Sequence, residues 1–159
     1  EWHCIGPVQS NKTRLVAENF HWMHTVDRLK IAQRLSEQRP AGMPALQVCL
    51  QVNVDGGVNK SGVQPGEVLE LARSVATLPR LKLRGLMSIP ELAPDFVAAC
   101  ALFIRVKALF DGLNAEGLGL DTLSMGMSTD LEAAIHSGST MVRVGTAIFG
   151  GRTRPISSA

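Results

Sequence analysis

The chain has 159 residues, 45% of them hydrophobic and 19% charged, with sixteen Lys and Arg against fourteen Asp and Glu for a formal charge of +2. That length fits one domain, the apolar content is enough for a core and excludes global disorder, and the near-balanced charge excludes an electrostatic footprint for nucleic acid or an anionic membrane. Apolar runs break within about ten residues, short of the roughly 20 that a membrane-spanning helix needs, so a soluble protein is expected, and three cysteines that read as reduced thiols point to the cytoplasm.

The first residues, "EWHCIG", lack Met and read as a strand already under way, without the basic and apolar regions of a signal peptide, so upstream material is expected to be missing. "WHCIG" (2–6) is a short strand closed by Gly6 and Pro7, and "NKTRLVAENF" (11–20) a helix with Leu15, Val16 and Phe20 at helical spacing. "WMHTV" (22–26) reads as the next strand. In "DRLKIAQRLSEQR" (27–39), Ile31, Ala32 and Leu35 share a helix face, with Asp27 as the expected N-cap and Pro40 as the stop. "ALQVCLQVNV" (45–54) is a third strand, and "PGEVLELARSVATL" (65–78) a helix with a proline start. "LKLRGLMSI" (81–89) is a fourth strand, residues 94–113 a long helix, and "TLSMG" (122–126) a fifth strand. "TDLEAAIHSG" (129–138) is a short helix capped by Ser128 or Thr129, and "TMVRVGTAIFG" (140–150) a sixth strand with its turn.

Near-continuous apolar strands alternating with helices predict a parallel sheet covered by helices. Six strands amount to about three quarters of a (β/α)8 barrel; an open doubly wound sheet is the competing architecture, and periodicity does not separate the two. The expected domain covers residues 1–151, with a flexible polar tail at 152–159.

Parallel α/β folds gather ligands at the carboxyl ends of their strands. The fifth strand ends at "SMGMS", placing Met127 and Ser128 before the next helix, whose free N–H groups would favour an anion. The sixth strand adds "RVGT": Arg143 brings a permanent charge, Gly145 a close backbone approach and Thr146 a hydroxyl. An ordinary N-cap and turn would leave the same residues. The loop at Gln9, Ser10, Asn11 and Lys12 reads first as a helix cap, and the glycine loop with Lys60 first as a turn. His3, His21, His24 and His136 are scattered without metal-ligand spacing, and Cys4, Cys49 and Cys100 read as reduced, packed thiols.

"WHCIGPVQSNKTRLV", "NVDGGVNKSG", "LRGLMSIP" and "LSMGMSTDLEAAIHSGSTMVRVGTAIFG", in this order, resemble the pyridoxal phosphate homeostasis proteins over practically the whole chain. The resemblance implies the fold of the alanine racemase barrel domain, with about six of its eight β/α units present. It also implies binding of pyridoxal 5'-phosphate (PLP) without turnover, in intracellular vitamin B6 homeostasis. On this basis Ser128, Arg143, Gly145 and Thr146 hold the phosphate, with Met127 beside them and His3, Asn11 and Met87 lining the same mouth. The family's lysine block, resembling "AVSKT", and the "FGEN" block after it are missing, so PLP binding is expected to be noncovalent or absent, with phosphate or sulfate as simpler ligands. A barrel without two strands exposes two edges, and self-association is expected there. A racemase-like enzyme fragment is the alternative; it would need a lysine at the first strand end and a second acid/base, and the chain contains no tyrosine.

Overall fold

The computed structural model describes residues 1–56 and 61–151. Strands and helices alternate along them: β1 (His3–Cys4), α1 (Thr13–Asn19), β2 (Trp22–Val26), α2 (Leu29–Gln38) and β3 (Leu46–Gln51) come first. A 3₁₀ turn (Pro65–Glu67) leads into α3 (Val68–Ala76), followed by β4 (Leu81–Met87), α4 (Phe96–Ala115), β5 (Thr122–Met127) and α5 (Leu131–His136). The last elements are β6 (Met141–Arg143) and the short α6 (Thr146–Phe149).

All neighbouring strands pair in parallel, and the sheet runs β1-β2-β3-β4-β5-β6 in chain order. This decides between the two expected architectures. A doubly wound sheet reverses its strand order at a switch point; here the order never reverses, as in a barrel wall. β1 and β6 are the two edges, so the six strands form a partial (β/α)8 barrel. The expected tail, residues 152–159, lies outside the described residues, as does Lys60.

The core lies between the outer face of the sheet and the helices. Met23, Val48, Leu50, Leu86, Leu123 and Met125 meet Ile31, Ala32 and Leu35 of α2 and Phe103, Val106 and Phe110 of α4, all buried. The predicted apolar face of α2 is therefore the packed one. Its cap is not: α2 starts one residue later than Asp27 would dictate, with Arg28 in extended backbone at the N-cap and no side-chain cap bond. α4 has a genuine cap, Asp95, whose carboxylate accepts the Ala98 N–H at 2.8 Å. Arg39, 2% exposed, braces α1 by donating to the carbonyls of Ala17 and Phe20 at 2.7 Å each.

The strand expected over 140–150 divides into β6 and α6. Thr146 and Ile148 are β-branched and favour a strand, yet the N–H groups of Ile148 and Phe149 turn back to the Gly145 carbonyl at 3.0 and 2.9 Å, winding residues 146–149 into a helical turn. On the inner face, Trp22, Cys49 and Met87 form a second buried cluster with Met141. Among the described residues no helix is long and apolar enough to cross a membrane, and no group of three or more His, Cys, Asp or Glu stands together as a metal site.

Candidate functional site

The β5–α5 and β6–α6 junctions meet at the carboxyl end of the sheet. Ser128 lies in the first and is not the helix cap that its position suggested. The N-cap of α5 is Asp130, whose carboxylate closes the turn by accepting the Met127 N–H at 2.6 Å. This frees the Ser128 hydroxyl to reach across: its Oγ accepts the N–H groups of Gly145 and Ala147, each at 3.2 Å. Two backbone donors from one turn thus converge on a single oxygen of the other. At 3.2 Å these are long for N–H···O bonds, and an anionic acceptor would draw both donors closer.

Two cavities open beside this junction. One of about 240 Å³ is bordered by Ser128, Thr146, Met127 and Arg143, and one of about 540 Å³ by His3, His24, Met127, Arg143 and Gly145. Arg143 and Met127 belong to both walls. The structure therefore brings together Ser128, Arg143, Gly145, Thr146, Met127 and His3 of the predicted set. A Cβ placed on Gly145 would meet nothing within 4 Å, so this backbone is open to approach.

Asn11 and Met87 stand apart from both cavities. Asn11 is exposed, in a turn closed by the Lys12 N–H on the Gln9 carbonyl at 2.9 Å. Met87, the last residue of β4, is fully buried against Trp22, Cys49 and Met141 on the inner face. Lys12 borders a different cleft, with Pro7, Leu15 and Arg28.

Arg143 is placed differently from the expected anion fork. Its Nη1 donates to the Ser124 carbonyl and hydroxyl, each at 2.7 Å, and its Nη2 to the Ser88 carbonyl at 2.9 Å. Both fork nitrogens are thereby engaged by protein oxygens. Its Nε is buried and has no hydrogen-bond partner among the described residues. Burial lowers the guanidinium pKa, with Asp130 opposing the shift, but arginine stays charged.

Of the four histidines, His3 and His24 meet in space, whereas His136 packs against Phe96. His3 stacks on Trp22 with ring centroids 5.2 Å apart and planes 9° from parallel, and its Nδ1 lies 2.9 Å from Nε2 of His24. Nδ1 of His24 lies 2.8 Å from the Ser124 hydroxyl. Burial, reinforced by His3 and Arg143, brings the His24 pKa down from 6.5 to about 4, so its ring is neutral at physiological pH. Burial also lowers the pKa of His3, with Glu1 opposing. His24, Ser124 and Ser88 escaped the sequence reading. The available signal was strand alternation: His24 stands two residues after Trp22, and Ser124 interrupts an apolar strand on the inner face. Cys49 behaves as read, buried and with its thiol pushed up to about 12 by desolvation.

Residues 1–153 match the family model of the alanine racemase N-terminal domain. The chain is 63% identical over 151 residues to the pyridoxal phosphate homeostasis protein of Pseudomonas aeruginosa, an alignment covering 95% of this chain and 64% of that protein. It is 56% identical over 152 residues to the protein of the same name from Escherichia coli K12, covering 96% of this chain and 65% of the relative. The chain thus spans somewhat under two thirds of the length of these relatives. Among solved structures, PipY of Synechococcus elongatus PCC7942 with PLP bound superposes with a TM-score of 0.84 at 35% identity, over 94% of this chain and 70% of PipY. Alanine racemase of Clostridium difficile 630 shares the fold, with a TM-score of 0.77 at 18% identity, over 96% of this chain and 40% of the racemase. With the barrel wall, the strand-end junction and these similarities together, the chain belongs to the alanine racemase N-terminal domain family.

Proposed function

We propose that this chain binds PLP noncovalently, by phosphate and ring, as a cytoplasmic carrier in PLP homeostasis and without catalytic turnover. The observation that carries the reading is the convergence of the Gly145 and Ala147 N–H groups on one oxygen at 3.2 Å each. Ser128 holds these donors in place, and with Thr146 it borders a cavity of about 240 Å³, room for a phosphate group. An oxyanion entering there would receive charge-assisted hydrogen bonds from donors that are already oriented.

The remaining wall suits the ring of the cofactor. Arg143 borders the neighbouring cavity of about 540 Å³ as well, and its Nε is a buried donor that lacks an acceptor among the described residues. A ring nitrogen or phenolic oxygen would supply one, removing the cost of an unpaired buried donor. Met127 and Ile89 add apolar surface shared by the two cavities and exclude water from a bound ring. PLP itself supplies an electrophilic aldehyde on an electron-withdrawing ring. Racemase-type chemistry also needs a pair of proton-transfer groups, and here His24 is held neutral, Lys12 borders another cleft and tyrosine does not occur in this chain. The relatives are named for homeostasis, and PipY is a similar protein with a solved structure that has PLP bound.

PLP titrated into the chain, followed by absorbance and by equilibrium dialysis, tests the reading. Saturable one-to-one binding that inorganic phosphate or sulfate displaces is expected, with no lysine labelled after borohydride reduction and peptide mapping. Stoichiometric labelling of one lysine would refute noncovalent binding. Absence of saturable binding would refute the carrier function.

A further inference from the structure

Four strands contribute to one hydrogen-bonded chain on the inner face of the barrel wall: His3 from β1, His24 from β2, Ser124 from β5 and Arg143 from β6. Its direction follows from what each group can do. A guanidinium can only donate, so the Ser124 Oγ accepts from Arg143 Nη1 at 2.7 Å. The Ser124 hydroxyl hydrogen then finds its acceptor in Nδ1 of His24 at 2.8 Å. Neutral His24 must therefore carry its proton on Nε2, which donates to Nδ1 of His3 at 2.9 Å. His3 in turn carries its proton on Nε2, the nitrogen 4.0 Å from the Glu1 carboxylate. Every donor points away from Arg143 and toward the edge of the sheet. With the opposite tautomer of His24, two donors would meet at the Ser124 oxygen and the hydroxyl hydrogen would be stranded, a costly arrangement at a residue that is 0% exposed.

We propose that His24 is a positioning residue: acting through Ser124, it orients the guanidinium of Arg143 in the shared wall of the two cavities and leaves Nε as the donor offered to a ligand. The fork nitrogens are held on three oxygens, those of Ser88 and Ser124. Of these, the Ser124 hydroxyl is the one that can rotate, and His24 is the group that fixes its rotation. The statement about the ligand rests on the PLP reading above; the statement about the tautomer and the guanidinium does not.

Long-range proton–nitrogen NMR on the chain labelled at His and Arg, without ligand and at neutral pH, tests the direction of the chain. His24 and His3 are expected as Nε2–H tautomers, and Arg143 is expected to show a sharp, slowly exchanging Nε–H signal. An Nδ1–H tautomer at His24 would overturn the proposal, and this measurement needs no variant to fold. His24→Ala is expected to broaden the Arg143 Nε–H signal and to weaken PLP binding about tenfold, as for a lost charge-assisted contact, while inorganic phosphate binding changes less than twofold. His24→Asn, whose amide oxygen can stand in for Nδ1 as acceptor from Ser124, is expected to restore the signal and most of the affinity. An unchanged Arg143 signal in His24→Ala, or equal weakening of PLP and phosphate without rescue by Asn, would also overturn it. If the unmutated chain binds neither PLP nor phosphate, the PLP reading falls, and the tautomer and the Arg143 signal still decide the role of His24.

Discussion

The Ser128 hydroxyl, in the β5–α5 junction, accepts the backbone N–H of Gly145 from the β6–α6 junction at 3.2 Å, so two successive strand ends are fastened to each other at the proposed phosphate site. Replacing Ser128 with Ala leaves the Gly145 and Ala147 donors without their shared acceptor and removes a hydroxyl from the cavity wall. Stability is expected to fall by about 1 kcal/mol, since each neutral hydrogen bond is worth about that much and the site is partly solvated. PLP and inorganic phosphate should both bind about tenfold more weakly, by isothermal titration calorimetry, because both use the same oxyanion contacts. Ser128→Thr, which keeps the hydroxyl, should bind like the parent; equal losses in both variants would mean that the hydroxyl is not what matters.

The buried ring of His24 makes stability depend on pH. It is 1% exposed, and its pKa falls from 6.5 to about 4 on folding. The unfolded chain therefore takes up this proton between about pH 6.5 and 4 while the folded chain does not, so stability is full above that window and is lost as the pH falls through it. The difference between the two values amounts to something on the order of 3 kcal/mol. Urea unfolding between about pH 7 and 4 should show the decline, and His24→Gln should flatten it. The lowered pKa of His3 acts in the same direction. A variant with an unaltered slope would assign the decline to other groups.

Most of the barrel wall was legible in the sequence because its elements announced themselves by period, α6 excepted: the β2 residues Trp22–Val26 and the α2 face of Ile31, Ala32 and Leu35 lie where the pattern placed them. Strand order was not legible, since sequence-adjacent pairing and a switch point leave the same local signature; only the register of β1 to β6 separates them. At the candidate site, the pattern singled out Ser128, Gly145 and Thr146 because turn chemistry is local; their role in binding is the proposal made above. The pattern misassigned what Ser128 does, because its partners, Gly145 and Ala147, are 17 and 19 residues away. His24 and Ser124 are 100 residues apart and join through contacts that no spacing rule encodes.

Two glycines on the inner strands should be less replaceable than Gly145. A Cβ on Gly85 would stand 1.7 Å from the Thr122 carbonyl oxygen, where β4 meets β5, and one on Gly126 would stand 2.4 Å from the Ala134 Cβ at a φ of +94°. Gly85→Ala must separate two paired strands, and Gly126→Ala combines overpacking with a backbone conformation that side chains resist; each is expected to cost about 2–4 kcal/mol or more. Gly145→Ala, where the added methyl meets nothing, should leave the unfolding free energy within about 0.5 kcal/mol of the parent while narrowing the approach to the proposed phosphate site. Chemical denaturation of the three variants checks the ranking.

The edges of the sheet carry the last prediction. Among the described residues β1 and β6 each pair on one side only, and Ile5, Ile89, Met127, Ile148 and Phe149 are exposed at the same end of the sheet by 44%, 41%, 42%, 67% and 85%. Unpaired strand edges beside exposed apolar side chains drive association between chains. The apparent mass in size-exclusion chromatography should therefore rise with concentration. Charge in α6 beside the β6 edge removes exposed apolar surface and opposes association, so Ile148→Lys with Phe149→Glu should shift the equilibrium toward monomer with little change in folding. A parent chain that elutes as a monomer across a hundredfold range of concentration, and unfolds cooperatively, would show that these edges are tolerated in water.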